Sequence, residues 1–197
     1  MPPAKPIVLA SQSPRRIALL RQIGLAPRVI PSSIDEVFDL TRTPAENAVR
    51  LAHAKAEDVG KEIGDGIIVG ADTIVVLDGK YLGKPSTPPD AVEMLGQLSG
   101  RTHTVVTGIA LLDRPTNRSV TGFEETRVTF RKLPLEEIEA YVAKGSPMDK
   151  AGAYGIQDDY GAVFVSRIEG CYYNVVGLPL SRFHSMLQQF SSHIAGP

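Results

Sequence analysis

Hydrophobic and polar residues alternate along the chain with two different periods, which predicts a protein built from both strands and helices. Short apolar runs or strict alternation predict strands at residues 7–10, 27–31, 67–70, 102–112 and 122–130, and a hairpin over residues 74–82 with a tight turn at Asp78 and Gly79. Apolar residues at helical spacing predict helices at residues 14–23, 44–61, 90–98 and 134–142, and a final helix that begins at Pro179. Two further stretches, residues 162–168 and 172–176, are predicted to pair as a last hairpin. This order of elements indicates a mixed α/β fold.

The helix at residues 44–61 has a clear start and an unusual inward face. Thr43 precedes it and Glu46 follows three residues later, which is the spacing of a capping box. Lys55 falls on the same side as Leu51 and Val59, which are apolar. A lysine in that position either extends its ammonium group to solvent or reaches a buried anion.

Residues 11–16, with the sequence SQSPRR, join the first strand to the first helix. Ser13 suits the N-cap position and Pro14 suits the first turn. The helix N-terminus, its dipole and the guanidinium groups of Arg15 and Arg16 together favour an anion such as phosphate. A capped helix with two solvated arginines is the plainer interpretation of the same residues.

Other segments carry polar or small residues where an ordinary core element would not. Asp72 lies inside an apolar run, so its carboxylate needs a partner, a metal or a catalytic role. Lys84 stands between Gly83 and Pro85 on a constrained turn. Residues 149–157 are rich in glycine and alanine, which would let the backbone approach a flat ligand closely.

Composition and motifs argue against several classes of function. The 197 residues are enough for one domain with a real core, or for two lobes around a cleft. A net charge of −1 gives no electrostatic case for nucleic acid or an anionic membrane, so neither partner is expected. The chain lacks a G-x-x-x-x-G-K-[ST] segment, which disfavours a P-loop NTPase.

Cysteine and histidine offer little catalytic chemistry. Cys171 is the single cysteine and is predicted to be a core thiol, and His103 is predicted to be structural rather than a general base. No secretory signal is visible, and no apolar run reaches the roughly 20 residues that span a bilayer. We therefore expect a cytoplasmic protein.

Taken in order, these motifs resemble those of the Maf proteins, a family of nucleoside triphosphate pyrophosphatases once described as septum-formation inhibitors. The resemblance runs from about residue 7 to about residue 190 and rests on residues 11–16, 34–36, the Lys55 helix, 71–73, 83–85, 99–102, 149–157 and 176–179. It implies one Maf-like domain over residues 1–197, with an elongated mixed sheet as in Maf and ITPase-like proteins, flanking helices and two lobes facing a central cleft. It also implies a homodimer.

The resemblance implies hydrolysis between the α and β phosphates by metal-assisted attack of water. Asp72 is the proton acceptor in this scheme. Glu36 and Asp72 are the acidic pair able to hold Mg²⁺ or Mn²⁺, which prefer oxygen ligands. The triphosphate is expected to contact Ser11, Arg16, Lys55 and Lys84.

Base recognition is assigned to Arg15, Thr73 and Gln157, the trio that the dTTP/UTP-hydrolysing branch of the family carries. The Gln157 amide can pair with the N3–H group and a carbonyl of uracil or thymine. Arg15 offers only donors, so it would reject the amino group of cytosine. We therefore expect dTTP and UTP as preferred substrates.

Two alternatives remain open at the level of sequence. A pyrophosphatase for another base, such as 7-methyl-GTP, or for modified pyrimidine nucleotides as a house-cleaning enzyme, would share the phosphate chemistry. A nucleotide-binding regulator of cell division would need no turnover. Asp72→Asn separates the classes, because a protein that only binds nucleotide should keep its effect.

Overall fold

The structure is a computed structural model that describes residues 5–157 and 159–195. Within these residues, the strands are β1 (Ile7–Leu9), β2 (Arg28–Val29), β3 (Gly66–Leu77), β4 (Lys80–Leu82), β5 (Thr102–Arg114), β6 (Ser119–Phe130) and β7 (Val165–Glu169). The α-helices are α1 (Pro14–Gln22), α2 (Pro44–Gly60), α3 (Pro88–Leu98), α4 (Leu135–Ala143), α5 (Tyr172–Val176) and α6 (Leu180–Ala195). Short 3₁₀ turns occupy Ser146–Asp149, Ala151–Ala153 and Asp159–Phe164. The mixed α/β class predicted from the sequence is confirmed.

The strands form one mixed sheet in the order β2-β1-β3-β5-β6-β7, with β4 paired to β3. β1 is parallel to both β2 and β3, and its Leu9 pairs with Val69. β4 is antiparallel to β3, as expected for a hairpin, and β7 is antiparallel to β6. In the part of the chain that the structure describes, no helix combines the length and apolarity needed to cross a bilayer.

The strand that carries Asp72 differs from the expectation. The sequence suggested that a strand ends just before residue 71 and that a second resumes at residue 74. The structure shows one unbroken strand, β3, with Asp72 in its interior. Apolar and β-branched residues on both sides of Asp72 favour the extended conformation throughout.

The last predicted hairpin is wrong in its second half. Tyr172–Val176 forms the helix α5, whereas the strand pairing with β7 is β6. Five residues are too few for their period to separate a helix from a strand. Tertiary contacts decide it, because the side-chain amide of Asn174 donates to the Val105 carbonyl and to Thr126 Oγ1, each at 2.9 Å.

Two neighbouring details are also corrected. Residues 162–164 belong to a 3₁₀ turn, so β7 begins only at Val165. Cys171 is half-buried rather than a core thiol, since it lies in the short connection between β7 and α5.

Contacts divide the chain into two compact units. Unit 1 contains the described residues within 1–72, 107–124 and 177–197, and unit 2 contains those within 73–106 and 125–176. The single Maf-like domain, the two lobes and the central cleft stay predictions from the sequence.

In unit 1, α2 packs closely against the sheet. The predicted capping box is confirmed: Thr43 Oγ1 accepts from the Glu46 amide at 3.2 Å, and Glu46 accepts from the Thr43 amide at 2.8 Å. The inward face of the helix and residues in or next to β1, β3 and β5 form one buried apolar cluster, which contains Val8, Ala10, Ala52, Ala56, Val59, Ile63, Ile68, Ala110 and Leu112.

Unit 2 contains α3, α4 and a cluster of buried rings. α3 begins two residues earlier than predicted, because Thr87 caps it in a second capping box with Asp90. The rings of His103, Phe130, Tyr154 and Phe164 pack edge to face or tilted, with centroids between 4.8 and 5.9 Å apart.

Candidate active site

The chemistry of unit 1 is concentrated around the side chain of Lys55. This residue lies on the sheet-facing side of α2, and its side chain is only 9% exposed. Its ammonium group donates to Asp72 Oδ1 at 2.6 Å and to Glu36 Oε1 at 2.5 Å. Of the two interpretations of an inward lysine, the structure therefore supports the one in which it reaches buried negative charge.

Close approach of α2 to β3 makes these contacts attainable. A Cβ atom on Gly70 would lie 2.0 Å from the Ala52 carbonyl oxygen, so only glycine fits there. Ala52 is one helical turn before Lys55, and Gly70 is two residues before Asp72 on the same side of the strand. The fit between helix and strand thus positions the lysine over the carboxylate.

Asp72 is the predicted general base, and its surroundings shift the pKa of its carboxyl group. Its side chain is 7% exposed, and burial raises the pKa of the carboxyl group. The charge and hydrogen bond of Lys55 and the charge of Arg16 act in the opposite direction, while Glu36 adds to the rise in pKa. A carboxylate whose pKa is raised accepts a proton more readily than an exposed one.

Arg16 forms the second part of this cluster. Its Nε donates to the Gly177 carbonyl at 2.9 Å and its Nη1 to Ser11 Oγ at 3.1 Å. Burial lowers the pKa of Arg16, and the charge of Asp72 opposes that effect. The guanidinium group is therefore held in place by neutral oxygens close to the acidic residues.

The start of α1 differs in detail from the expected cap. Ser13 occupies the N-cap position, but its side chain makes no capping hydrogen bond. Instead, Ser11 Oγ accepts from the Ser13 amide at 3.2 Å. Ser11 thus connects the turn before α1 to the guanidinium group of Arg16, and Arg15 is half-buried beside it.

The remaining predicted site residues belong to unit 2. Thr73 is half-buried on β3, Lys84 is exposed after β4, and Gln157 is half-buried at the end of the 149–157 segment. Their contacts with a nucleotide stay predictions, as do the roles assigned to the residues of unit 1.

Glu36 and Asp72 have suitable donors for a divalent cation. Both carboxylates bond to one ammonium group, so their oxygens converge on a single cationic position. Among residues 5–157 and 159–195, no group of three or more His, Cys, Asp or Glu side chains could hold a metal by itself. Mg²⁺ is commonly bound by one or two carboxylates together with substrate phosphates and water, so the pair fits such an ion.

Sequence reasoning missed two features of this site. The Gly177 carbonyl that holds Arg16 lies in the 176–179 motif, to which no role had been assigned. The bonding of Lys55 to both carboxylates was also not foreseen, although its inward position was a usable signal.

The fold agrees with comparison to known proteins. A family model described as Maf-like protein matches residues 6–190, and the chain belongs to the Maf family. A protein of Acetivibrio thermocellus called dTTP/UTP pyrophosphatase is 50% identical over 191 residues, covering 93% of this chain and 94% of the relative. The Moorella thermoacetica protein of the same name is 49% identical, covering 96% and 97%. That of Caldicellulosiruptor saccharolyticus is 45% identical, covering 94% of each.

Proposed function

We propose that this protein hydrolyses nucleoside triphosphates, preferentially dTTP and UTP, to the monophosphate and pyrophosphate. The name dTTP/UTP pyrophosphatase, shared by relatives that match almost the full chain, supports the reaction and the substrates. The observation that carries the mechanism is the buried carboxylate of Asp72, bonded to Lys55 beside Arg16.

In this mechanism, Asp72 accepts the proton of the attacking water. Its raised pKa favours that role. We assign to it the water that attacks the α-phosphate, because its place within the strand β3 suits a group that must orient a reactant. Arg16, Ser11, Lys55 and Lys84 bind the phosphates, and the developing charge on the leaving pyrophosphate is stabilised by the cations among them. Glu36 and Asp72 would hold Mg²⁺ or Mn²⁺, which supplies charge neutralisation and polarisation of phosphate oxygens when bound.

Recognition of the base is assigned to Arg15, Thr73 and Gln157. The amide of Gln157 offers one acceptor and one donor to the pyrimidine edge, and Arg15 offers donors to a carbonyl at position 4 of the ring. A base that leaves one of these groups unpaired binds less well. A cytoplasmic location, a homodimer and the absence of nucleic-acid or membrane partners stay predictions from the sequence.

The proposal is tested by following turnover of the common nucleoside triphosphates, 7-methyl-GTP and modified pyrimidine nucleotides, with Mg²⁺ and Mn²⁺ compared. In water enriched in heavy oxygen, attack at the α-phosphate places the label in UMP and leaves pyrophosphate unlabelled. UDP and orthophosphate as products would contradict the bond assignment. Faster turnover of 7-methyl-GTP than of dTTP and UTP would contradict the substrate assignment.

A further inference from the structure

The segment that leads to Gln157 has a strained backbone. Gly152 has φ of 71° and the next residue, Ala153, has φ of 60°. Left-handed φ is accessible to glycine, but for an alanine it costs on the order of 1 kcal/mol or more. Such a conformation persists only where surrounding contacts hold it.

Contacts with the Gly83 turn and with β3 hold one side of the segment. The Gly152 amide donates to the Gly83 carbonyl at 3.0 Å, directly before Lys84 in the sequence. A Cβ atom on Gly152 would lie 3.2 Å from Val75 Cγ1, so the segment also lies close against β3. The backbone leading to Gln157 and the turn carrying Lys84 are therefore joined within unit 2.

On the other side, a pair of buried polar side chains holds the segment. The Tyr154 hydroxyl lies 2.7 Å from His103 Nε2, and these residues are 6% and 2% exposed. The ring of Phe130 packs edge to face on both, with centroids 4.8 Å from Tyr154 and 5.1 Å from His103. Tyr154 directly follows the strained Ala153 and precedes Gln157 by three residues.

The proton in this bond can be assigned. Burial lowers the pKa of His103 to about 4, so the ring is neutral near pH 7, and burial raises the pKa of Tyr154, which keeps its proton. His103 Nδ1 has no hydrogen-bond partner among the described residues. Donation from the tyrosine to Nε2 leaves only one buried group unpaired, whereas the opposite direction also leaves the hydroxyl hydrogen unpaired. The hydroxyl of Tyr154 is therefore the donor.

We propose that His103 and Tyr154 are positioning residues for base recognition: their hydrogen bond holds the strained backbone at Ala153 and thereby fixes where Gln157 presents its amide. This inference rests on the proposed function, because it assigns the cause of the preference for dTTP and UTP. Neither side chain is expected to touch the nucleotide. A displacement of about 1 Å in a group that orients a substrate can cost about 10²-fold in rate, so loss of the bond should be visible in selectivity.

The principal test compares kcat/KM for dTTP with that for CTP in variants of the pair. Tyr154→Phe removes only the hydroxyl, and His103→Leu removes the acceptor. We expect each to lower the dTTP/CTP ratio about tenfold. His103→Gln keeps an acceptor oxygen near the position of Nε2 and should retain most of the ratio. Tyr141→Phe, which removes a buried tyrosine hydroxyl from α4, is the matched control and should leave the ratio unchanged.

The double variant Tyr154→Phe/His103→Leu separates positioning from stability. Removing both partners leaves no unpaired polar group from this bond, so thermal stability should recover relative to Tyr154→Phe. The dTTP/CTP ratio should stay low, because the hydrogen bond between Tyr154 and His103 is still absent. A ratio that recovers together with stability would overturn the proposal, as would a uniform loss for all nucleotides in the single variants.

A measurement independent of turnover distinguishes failure of this inference from failure of the proposed function. Amide hydrogen exchange at Gly152 should be about tenfold faster in Tyr154→Phe than in the wild type, and unchanged in Tyr141→Phe. Unchanged exchange in Tyr154→Phe would overturn the positioning role even in an active enzyme. A wild-type protein that does not turn over dTTP or UTP would overturn the proposed function and the role in selectivity with it, and exchange would still report whether the pair holds the segment.

Discussion

The carbonyl oxygen of Ala52 lies only 2.0 Å from the point where a Cβ atom on Gly70 would stand. The backbones of α2 and β3 therefore lie closer together here than a side chain at position 70 would allow. Because Lys55 and Asp72 lie close by on the same two elements, the contact determines the geometry of the acidic cluster as well as the packing of the core.

Gly70→Ala should therefore destabilise the protein and disturb the cluster together. The added methyl group forces a shift of backbone on backbone, and we expect a loss of about 3 kcal/mol in the free energy of unfolding. Gly96→Ala is the control, because no described atom beyond the nearby backbone of α3 lies within 4 Å of its Cβ position, and there the change should stabilise by about 0.5–1 kcal/mol. Urea unfolding measures both. Equal stability of Gly70→Ala and the wild type would contradict the close approach.

Asp72→Asn should remove most of the activity while the protein stays folded. Asparagine keeps the size and a hydrogen-bonding oxygen but accepts no proton, and loss of a general base costs about 10²–10⁴-fold in rate. Single-turnover kinetics with dTTP and a thermal melt check the two halves of this expectation. Asp78→Asn changes an exposed carboxylate in the β3–β4 turn and should leave kcat unchanged. A near-wild-type kcat in Asp72→Asn would show that another group takes the proton.

Substitutions of Lys55 and Lys84 should have different effects on stability. Lys55→Met leaves the buried carboxylate of Asp72 without its partner, which we expect to cost about 3 kcal/mol in the free energy of unfolding. Lys84 is exposed, so Lys84→Met should leave the stability within about 0.5 kcal/mol of the wild type. Both variants should lose activity by a similar factor on dTTP, UTP and CTP, because the phosphates are common to all. A change in base preference would contradict their assignment to the triphosphate.

Gln157→Ala should lower the preference among bases rather than the rate on all of them. The amide contributes hydrogen bonds only to a matching pyrimidine edge, so kcat/KM for dTTP and UTP should fall more than that for CTP. We expect the dTTP/CTP ratio to drop by at least about tenfold. Gln97→Ala, on the exposed face of α3, provides the comparison. A variant at Gln157 that kept the full ratio would assign recognition of the base to other residues.

The ion pair of Lys5 and Asp113 predicts a defined pH dependence of stability. Burial alone would raise the pKa of Asp113, but hydrogen bonds from Lys5 at 2.7 Å and from Thr116 outweigh it and lower the pKa. A lowered folded-state pKa stabilises the protein above the unfolded value of about 3.9, and this contribution is lost as pH falls through the folded-state pKa. Asp113→Asn should thus cost about 2 kcal/mol at pH 7 and progressively less below about pH 4.

Urea unfolding at a series of pH values measures this difference. Asp65, which also contacts Lys5 but whose side chain is 63% exposed, provides the control variant Asp65→Asn. That substitution should change the free energy of unfolding by less than about 1 kcal/mol at any pH. A cost of Asp113→Asn that stayed constant down to pH 3 would contradict the assignment.

Much of the fold could be predicted from local signals. The capping box of Thr43 and Glu46 located the start of α2, because its hydrogen bonds are made within a single helical turn. The assignment of Tyr172–Val176 was wrong because the bonds of Asn174 come from residues far away in the sequence. Where local preference is weak, distant partners decide the conformation, and the pattern of the segment does not reveal them.

In the candidate site, too, local features could be predicted and distant contacts could not. The inward face of α2 predicted that Lys55 points into the protein, since the helical period fixes direction. Its pairing with Glu36 and Asp72 depends on the packing of α2 against β3 and on the path of the chain before α2. The pattern of hydrophobic and polar residues contains neither. The role of Tyr154 was missed for a similar reason, because its partner His103 is 51 residues away in the sequence.

The sheet-facing side of α2 near Gly70 is lined by the methyl groups of Ala52 and Ala56. Long side chains at such a contact can change rotamer and so allow a helix to rotate or shift. The methyl group of an alanine has no such freedom. The helix is therefore mechanically stiff at this contact. The direction of the Lys55 side chain is thus determined by the backbone of the sheet. A single carbon added at this contact is therefore expected to move the ammonium group of Lys55.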